Sequence, residues 1–129
     1  MNLRLKTTVE VESKLNELQS ALQLSSKAAV MRLAIAFSLK MSGDPRIVDG
    51  RIEKYDLKKQ NGADYNRFTI FGTDDNLYKA LMQQHLLNSI DDDTFFPELT
   101  NAHLCRGIKE IYAEFKLANN RERFIKELL

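Results

Sequence analysis

The 129-residue sequence has one cysteine, no tryptophan, two prolines and five glycines. Cys105 has no second thiol to pair with and no partner for a CxxC knuckle. That excludes a disulfide framework and a zinc finger, and it points to the reducing cytoplasm. So little glycine and proline excludes a collagenous or low-complexity chain. No run approaches the ~18–20 apolar residues of a membrane span, and the start, MNLRLKTTVEVESK, carries charge where a secretory signal needs an unbroken apolar stretch. The expectation is a soluble cytoplasmic protein with no membrane partner. A strong excess of one charge is also missing. Lys and Arg number 19 against 18 Asp and Glu, a net charge of +1, which excludes a basic coat of the kind that binds nucleic acid without discrimination. The charges are unevenly placed, however. Residues 1–60 hold 11 basic and 7 acidic side chains, residues 61–129 hold 8 and 11, so the front half is the basic half.

What is present suits one folded unit. With 43% hydrophobic residues, a chain of this length buries roughly two-thirds of its unfolded surface and needs no metal or disulfide to fold. Leu3, Leu5 and Thr7 alternate with Asn2, Arg4 and Lys6, the pattern of a short strand. Thr7 and Glu10 read as a capping box starting a helix over 8–22, with Val11, Leu15, Leu18 and Leu22 on one stripe. A serine at 25 or 26 caps a second, largely apolar helix over 26–41, ended by Ser42, Gly43, Asp44 and Pro45. The strand cannot stand alone; it must pair elsewhere in the chain or with its copy in a second subunit. Residues 45–66 lose any period and read as a loop or arm, a candidate for ordering on a ligand or a neighbouring subunit. Tyr65–Phe71 is rich in β-formers and reads as a second strand stopped by Gly72. A helix over 73–87, with Leu77, Leu81 and Met82 inward, is followed by one over 97–117. Asn119 and Asn120 then set off a last short helix whose Phe124, Ile125, Leu128 and Leu129 dock on the core. The expected fold is mainly α: a single small helical domain over 1–129 with a ribbon-helix-helix-like unit over 1–42 and a helical C-terminal part over 67–129.

No catalytic constellation stands out. His85 and His103 lie on different predicted helices, and no nucleophile elbow, Walker A or zincin pattern occurs. No cofactor and no metal are expected. Asp91, Asp92 and Asp93 lack the alternation, glycine and terminal glutamate of a calcium loop and read as a solvated turn. Cys105 reads as a buried helical thiol. The strand followed by two helices resembles the ribbon-helix-helix unit, in which paired strands enter a DNA groove. On that reading Arg4 and Lys6 lie on the exposed strand face, while Ser25, Ser26 and Lys27 at a helix start bind phosphate. Lys54, Lys58 and Lys59 are the alternative contact surface. A plain helical hairpin with a charged start would look similar.

Three separated stretches sharpen the reading: LRLKTTVEVESKLNELQSALQLSSKAAVMRLAIAFSL at the start, FTIFGTDDNLYKALMQQHL in the middle, and HLCRGI over His103–Ile108. In that order, over residues 3–113, they resemble the DndE family. The resemblance implies a small, mainly helical accessory protein of bacterial DNA phosphorothioation, in which sulfur replaces a non-bridging phosphate oxygen. It implies that partner proteins carry out the sulfur chemistry, and that this chain binds DNA, including nicked duplex, as a homo-tetramer. His103, Arg106 and Gly107 fall on the family's H-x-x-R-G motif. Two readings of them stay open: they face one partner, or Arg106 makes a helix-to-helix or subunit salt bridge, His103 is a satisfied hydrogen-bonder and Gly107 is a packing notch. A scaffold that docks the modification enzymes is the alternative function. A metal-dependent nickase using Asp91, Asp92, Asp93 and His103 is a more distant one.

Overall fold

The computed structural model describes residues 2–128, and the side chains of Arg121 and Phe124 lie outside that description. Strand β1 (Arg4–Lys6) leads into α1 (Val9–Leu22) and α2 (Lys27–Leu39). Thr8, not Thr7, caps α1, accepting from Val11 N at 3.2 Å. Thr7 Oγ1 instead donates to Glu12 at 2.7 Å, and Glu10 pairs with Lys14. Ser26 caps α2 through Ala29 N.

The segment read as a loop is structured. It holds a hairpin of β2 (Ile47–Val48) and β3 (Arg51–Ile52), one 3₁₀ turn over Leu57–Lys59, and β4 (Asp64–Asn66). Asp49 (φ 52°) and Gly50 (φ 78°) supply the two positive φ angles of a type I′ hairpin turn. Strand β4 is the partner of β1: the two run antiparallel, with Leu5 opposite Tyr65 and Lys6 opposite Asp64. At Lys6 the other edge of β1 meets Tyr55 Oη, which accepts from Lys6 N at 2.9 Å. The strand therefore finds its partner within the chain, and the likeness to a ribbon-helix-helix unit rests in the order strand, helix, helix.

Residues 67–71 form a short helix, α3 (Arg67–Phe71), not a strand. Asn66 Oδ1 accepts from Phe68 N at 2.8 Å, and this cap turns a β-prone stretch helical. Ile70 and Phe71 are buried while Phe68 is exposed. Helix α4 (Asp75–Leu86) buries Met82 and turns Leu77 and Leu81 outward, because the Phe71 ring packs tilted against Tyr78, centroids 4.6 Å apart, and selects that side of the helix. An irregular turn over Thr94–Leu99, with Phe96 extended, contains Pro97 and buries Phe95, Phe96 and Leu99. The last helix, α5 (Thr100–Leu128), runs straight through Asn119 and Asn120. Asparagine costs an exposed helix under about 1 kcal/mol, too little to end it. Ile125 and Leu128 are exposed rather than docked; Phe124 and Leu129 lie outside the described side chains.

Helices α2 and α5 form the spine of the domain. Met31, Ala34 and Ile35 of α2 and Leu104 and Ile108 of α5 are all buried in one cluster with Leu5, Leu15, Leu18 and Ile70. No described helix is long and apolar enough to cross a membrane.

Candidate nucleic-acid interface

Leu5 is fully buried, so the alternation of β1 sends Arg4 and Lys6 to the opposite, outward face. Arg4 is exposed and Lys6 partly so. Residues 53–63 run beside this strand and are stitched to it. Tyr55 Oη binds the Lys6 backbone, Gly62 N donates to Thr7 O at 2.7 Å, and Asn61 Oδ1 accepts from Val9 N at 3.1 Å. Burial pushes the Tyr55 phenol above its usual range, so its hydroxyl stays a neutral bridge. Gly62 permits this closeness, since a Cβ there would come within 2.6 Å of Thr8 O.

Lys54, Lys58 and Lys59 are exposed on that stitched segment. The backbone that carries Lys54, Lys58 and Lys59 thus lies beside the strand that carries Arg4 and Lys6. None of Arg4, Lys6, Lys54, Lys58 and Lys59 is in an ion pair among the described residues.

The start of α2 is differently occupied. Ser26 spends its hydroxyl on the cap, Ser25 is exposed, and Lys27 Nζ pairs with Glu12 at 3.3 Å. Glu12 also accepts from Thr7 Oγ1 and, at 2.7 Å, from Tyr65 Oη. Burial and the adjoining Glu12 carboxylate push the Tyr65 phenol upward. Glu12 thereby joins both strands to the helix start, and no residue spacing marks it out for that task.

His103, Arg106 and Gly107 all face α2. Arg106 Nε donates to Ser38 Oγ at 2.8 Å, and its Nη atoms donate to the carbonyls of Ser38 (2.7 Å), Met41 (3.3 Å), Ser42 (3.2 Å) and Gly43 (2.9 Å). These carbonyls include the C-terminal ones that α2 cannot satisfy internally. His103 is fully buried with Nδ1 2.8 Å from Ser38 Oγ, and among the described residues its Nε2 has no hydrogen-bond partner. Burial, then the nearby His85 and Arg106, lowers its pKa to about 3. His85, 5.1 Å away ring to ring, donates from Nε2 to Met41 O at 2.6 Å. A Cβ on Gly107 would overlap the Ala34 carbonyl. The motif locks α5 to the end of α2.

Asp91–Asp93 do not gather as ligands. Asp92 grips the buried Arg67 guanidinium through two 2.9 Å bonds, with Asp75 at 3.2 Å and the rings of Phe95 and Phe96 at 5.0 and 5.4 Å. Asp91 accepts from Thr94 N. Among the described residues no three His, Cys, Asp or Glu side chains are placed to hold a metal. Cys105 is half-buried in α5, and desolvation pushes its thiol up to about 11, so it is slow to react rather than sealed off.

The comparisons agree with this architecture. No curated protein matches the sequence. The crystal structure of DndE from Escherichia coli B7A, involved in DNA phosphorothioation modification, superposes with a TM-score of 0.62 at 18% identity, covering 86% of this chain and 97% of that one. A mutant of DndE involved in DNA phosphorothioation does so with a TM-score of 0.57 at 16% identity and the same coverage. At the level of sequence, the model of DndE, described as DNA sulphur modification protein DndE, matches residues 4–119. With that match spanning most of its length, the chain belongs to the DndE family of DNA sulphur modification proteins.

Proposed function

We propose that this member of the phosphorothioation system is a DNA-binding accessory component that engages duplex or nicked DNA as an oligomer without catalysing a step itself. One observation carries the DNA reading: Tyr55 and Gly62 draw the 53–63 segment against β1, so that Arg4, Lys6, Lys54, Lys58 and Lys59 form one basic edge free of ion pairs among the described residues. Scattered cations add little affinity, whereas several within reach of one phosphate backbone act together. Lys27 and Ser26, already engaged by Glu12 and by the helix cap, are secondary to this edge.

Against a nickase built on Asp91, Asp92, Asp93 and His103 speaks that Asp92 is held by Arg67 and that His103 is buried against Ser38. Exposed Phe68, Leu77 and Leu81, 66%, 57% and 38% accessible, supply apolar surface for self-association or for docking other proteins of the system.

Gel-shift titration of intact and nicked duplex tests the proposal. The Arg4→Ala, Lys6→Ala, Lys58→Ala triple variant should bind at least about tenfold more weakly, each lost phosphate contact contributing a similar share. Unchanged affinity would remove the basic edge from the account. Incubating supercoiled plasmid with Mg²⁺ should leave it supercoiled, and nicking abolished by Asp92→Ala would establish an enzyme instead.

A further inference from the structure

The hairpin β2–β3 overhangs a groove of about 890 Å³ whose far wall is α5. Its base is fixed: Arg46 pairs with Asp44 at 2.8 Å and approaches Glu98 at 3.8 Å, while Glu53 N donates to Arg46 O at 2.7 Å. Its blades are bare. Ile47 and Ile52 lie directly opposite each other and are 51% and 62% accessible, and Val48 is 43% accessible. Two strands of two residues each have no stability of their own in water, and an exposed cross-strand isoleucine pair is apolar surface awaiting cover. Met41 and Pro45 continue the apolar lining inside the groove.

The charges of the groove select the occupant. Five Lys or Arg and five Asp or Glu side chains line it. Apart from Lys54 and Lys59, which belong to the basic edge, a polyanion entering the groove would meet three cations against five carboxylates. An isologous contact between two copies, by contrast, requires one patch to complement itself, and so to carry both signs in balance around an apolar centre. We infer that the hairpin and the groove beneath it form an interface between two copies of this chain, the Ile47–Ile52 pair of each copy seated against the other. The inference rests on the oligomeric part of the proposed function and names its surface. Lys54 and Lys59 stand on the rim of the groove as well as on the basic edge, so pairing would join the basic edges of two copies into a longer strip.

Cys105, the only cysteine, lies in the groove wall and reports on its cover. The test is light scattering at micromolar concentration on wild type and on an Ile47→Lys, Ile52→Lys double variant, with thiol alkylation in parallel. Both positions are exposed, so the fold should persist, which circular dichroism checks. The expected result is an oligomeric wild type, a variant of at most half its mass, and Cys105 alkylated at least about threefold faster in the variant. An unchanged mass would overturn the hairpin interface while leaving the oligomer standing. A monomeric wild type would overturn both. Loss of DNA binding at unchanged mass would reassign the hairpin to DNA.

Discussion

Gly107→Val should unfold the protein at moderate temperature or lower its Tm by more than about 10 °C. The side chain would have to occupy the Ala34 carbonyl, so α2 and α5 must separate. Overpacking of a close-packed core costs about 1–3 kcal/mol by itself. Separation would also stretch the Arg106 bonds to Ser38 one residue away in sequence, and a hydrogen bond from a charged group contributes about 1.5–3 kcal/mol. Against a total stability of roughly 5–15 kcal/mol, that combination is severe. Gly107→Ala is the graded case. Helix propensity alone favours alanine by about 1 kcal/mol, so the sign of the change discriminates. Thermal melts should rank wild type above Ala and Ala above Val; a stabilised Ala variant would mean that the helices do not touch here.

His103 should make the protein acid-labile well above the range of carboxylate titration. Its side chain is fully buried, beside His85 and Arg106, with Asp44 the one favourable charge and Arg46 a further opposing one. The folded pKa is lowered to about 3 from 6.5, so as pH falls the unfolded chain takes up the proton first. The stabilisation is therefore complete above pH 6.5 and is lost progressively as pH falls from 6.5 toward 3. Each pH unit below 6.5 costs about 1.4 kcal/mol, or between about 2 and 3 kcal/mol by pH 4.5. The carboxylates of Asp44, Asp92 and Glu17, each held below its usual range by a basic partner, add their loss only at lower pH. Urea denaturation at pH 7.5, 6.0 and 4.5 should show this slope. His103→Gln, less stable at pH 7.5, should flatten it; an equal slope in that variant would place the acid sensitivity elsewhere.

Much of this architecture is legible in the sequence because it is local. The spacing of Val11, Leu15 and Leu18 builds α1, Ser26 marks the start of α2, and Gly72 closes α3 with a positive φ. The hairpin carries a readable signal too, Asp49-Gly50 between Ile47-Val48 and Arg51-Ile52, although residues 45–66 as a whole keep no period. Other features depend on distant residues. Nothing in Arg4–Lys6 names β4 as its partner sixty residues on, and Arg67–Phe71 has strand composition until Asn66 caps it. In α4 two overlapping apolar stripes compete, and Phe71, not spacing, chooses Tyr78 and Met82 over Leu77 and Leu81. The candidate interface was half visible: its lysines and arginine could be named, but their union depends on the Tyr55 hydroxyl reaching Lys6.

The most direct test of the basic edge is the salt dependence of duplex binding, followed by fluorescence anisotropy across several salt concentrations. Neutralising three or more phosphates predicts a slope of log affinity against log salt steeper than about −2.7. That slope should fall by about 2–3 when Arg4, Lys6 and Lys58 are changed to alanine. A shallow slope, or one that the triple variant leaves unaltered, would contradict the assignment of this edge to DNA.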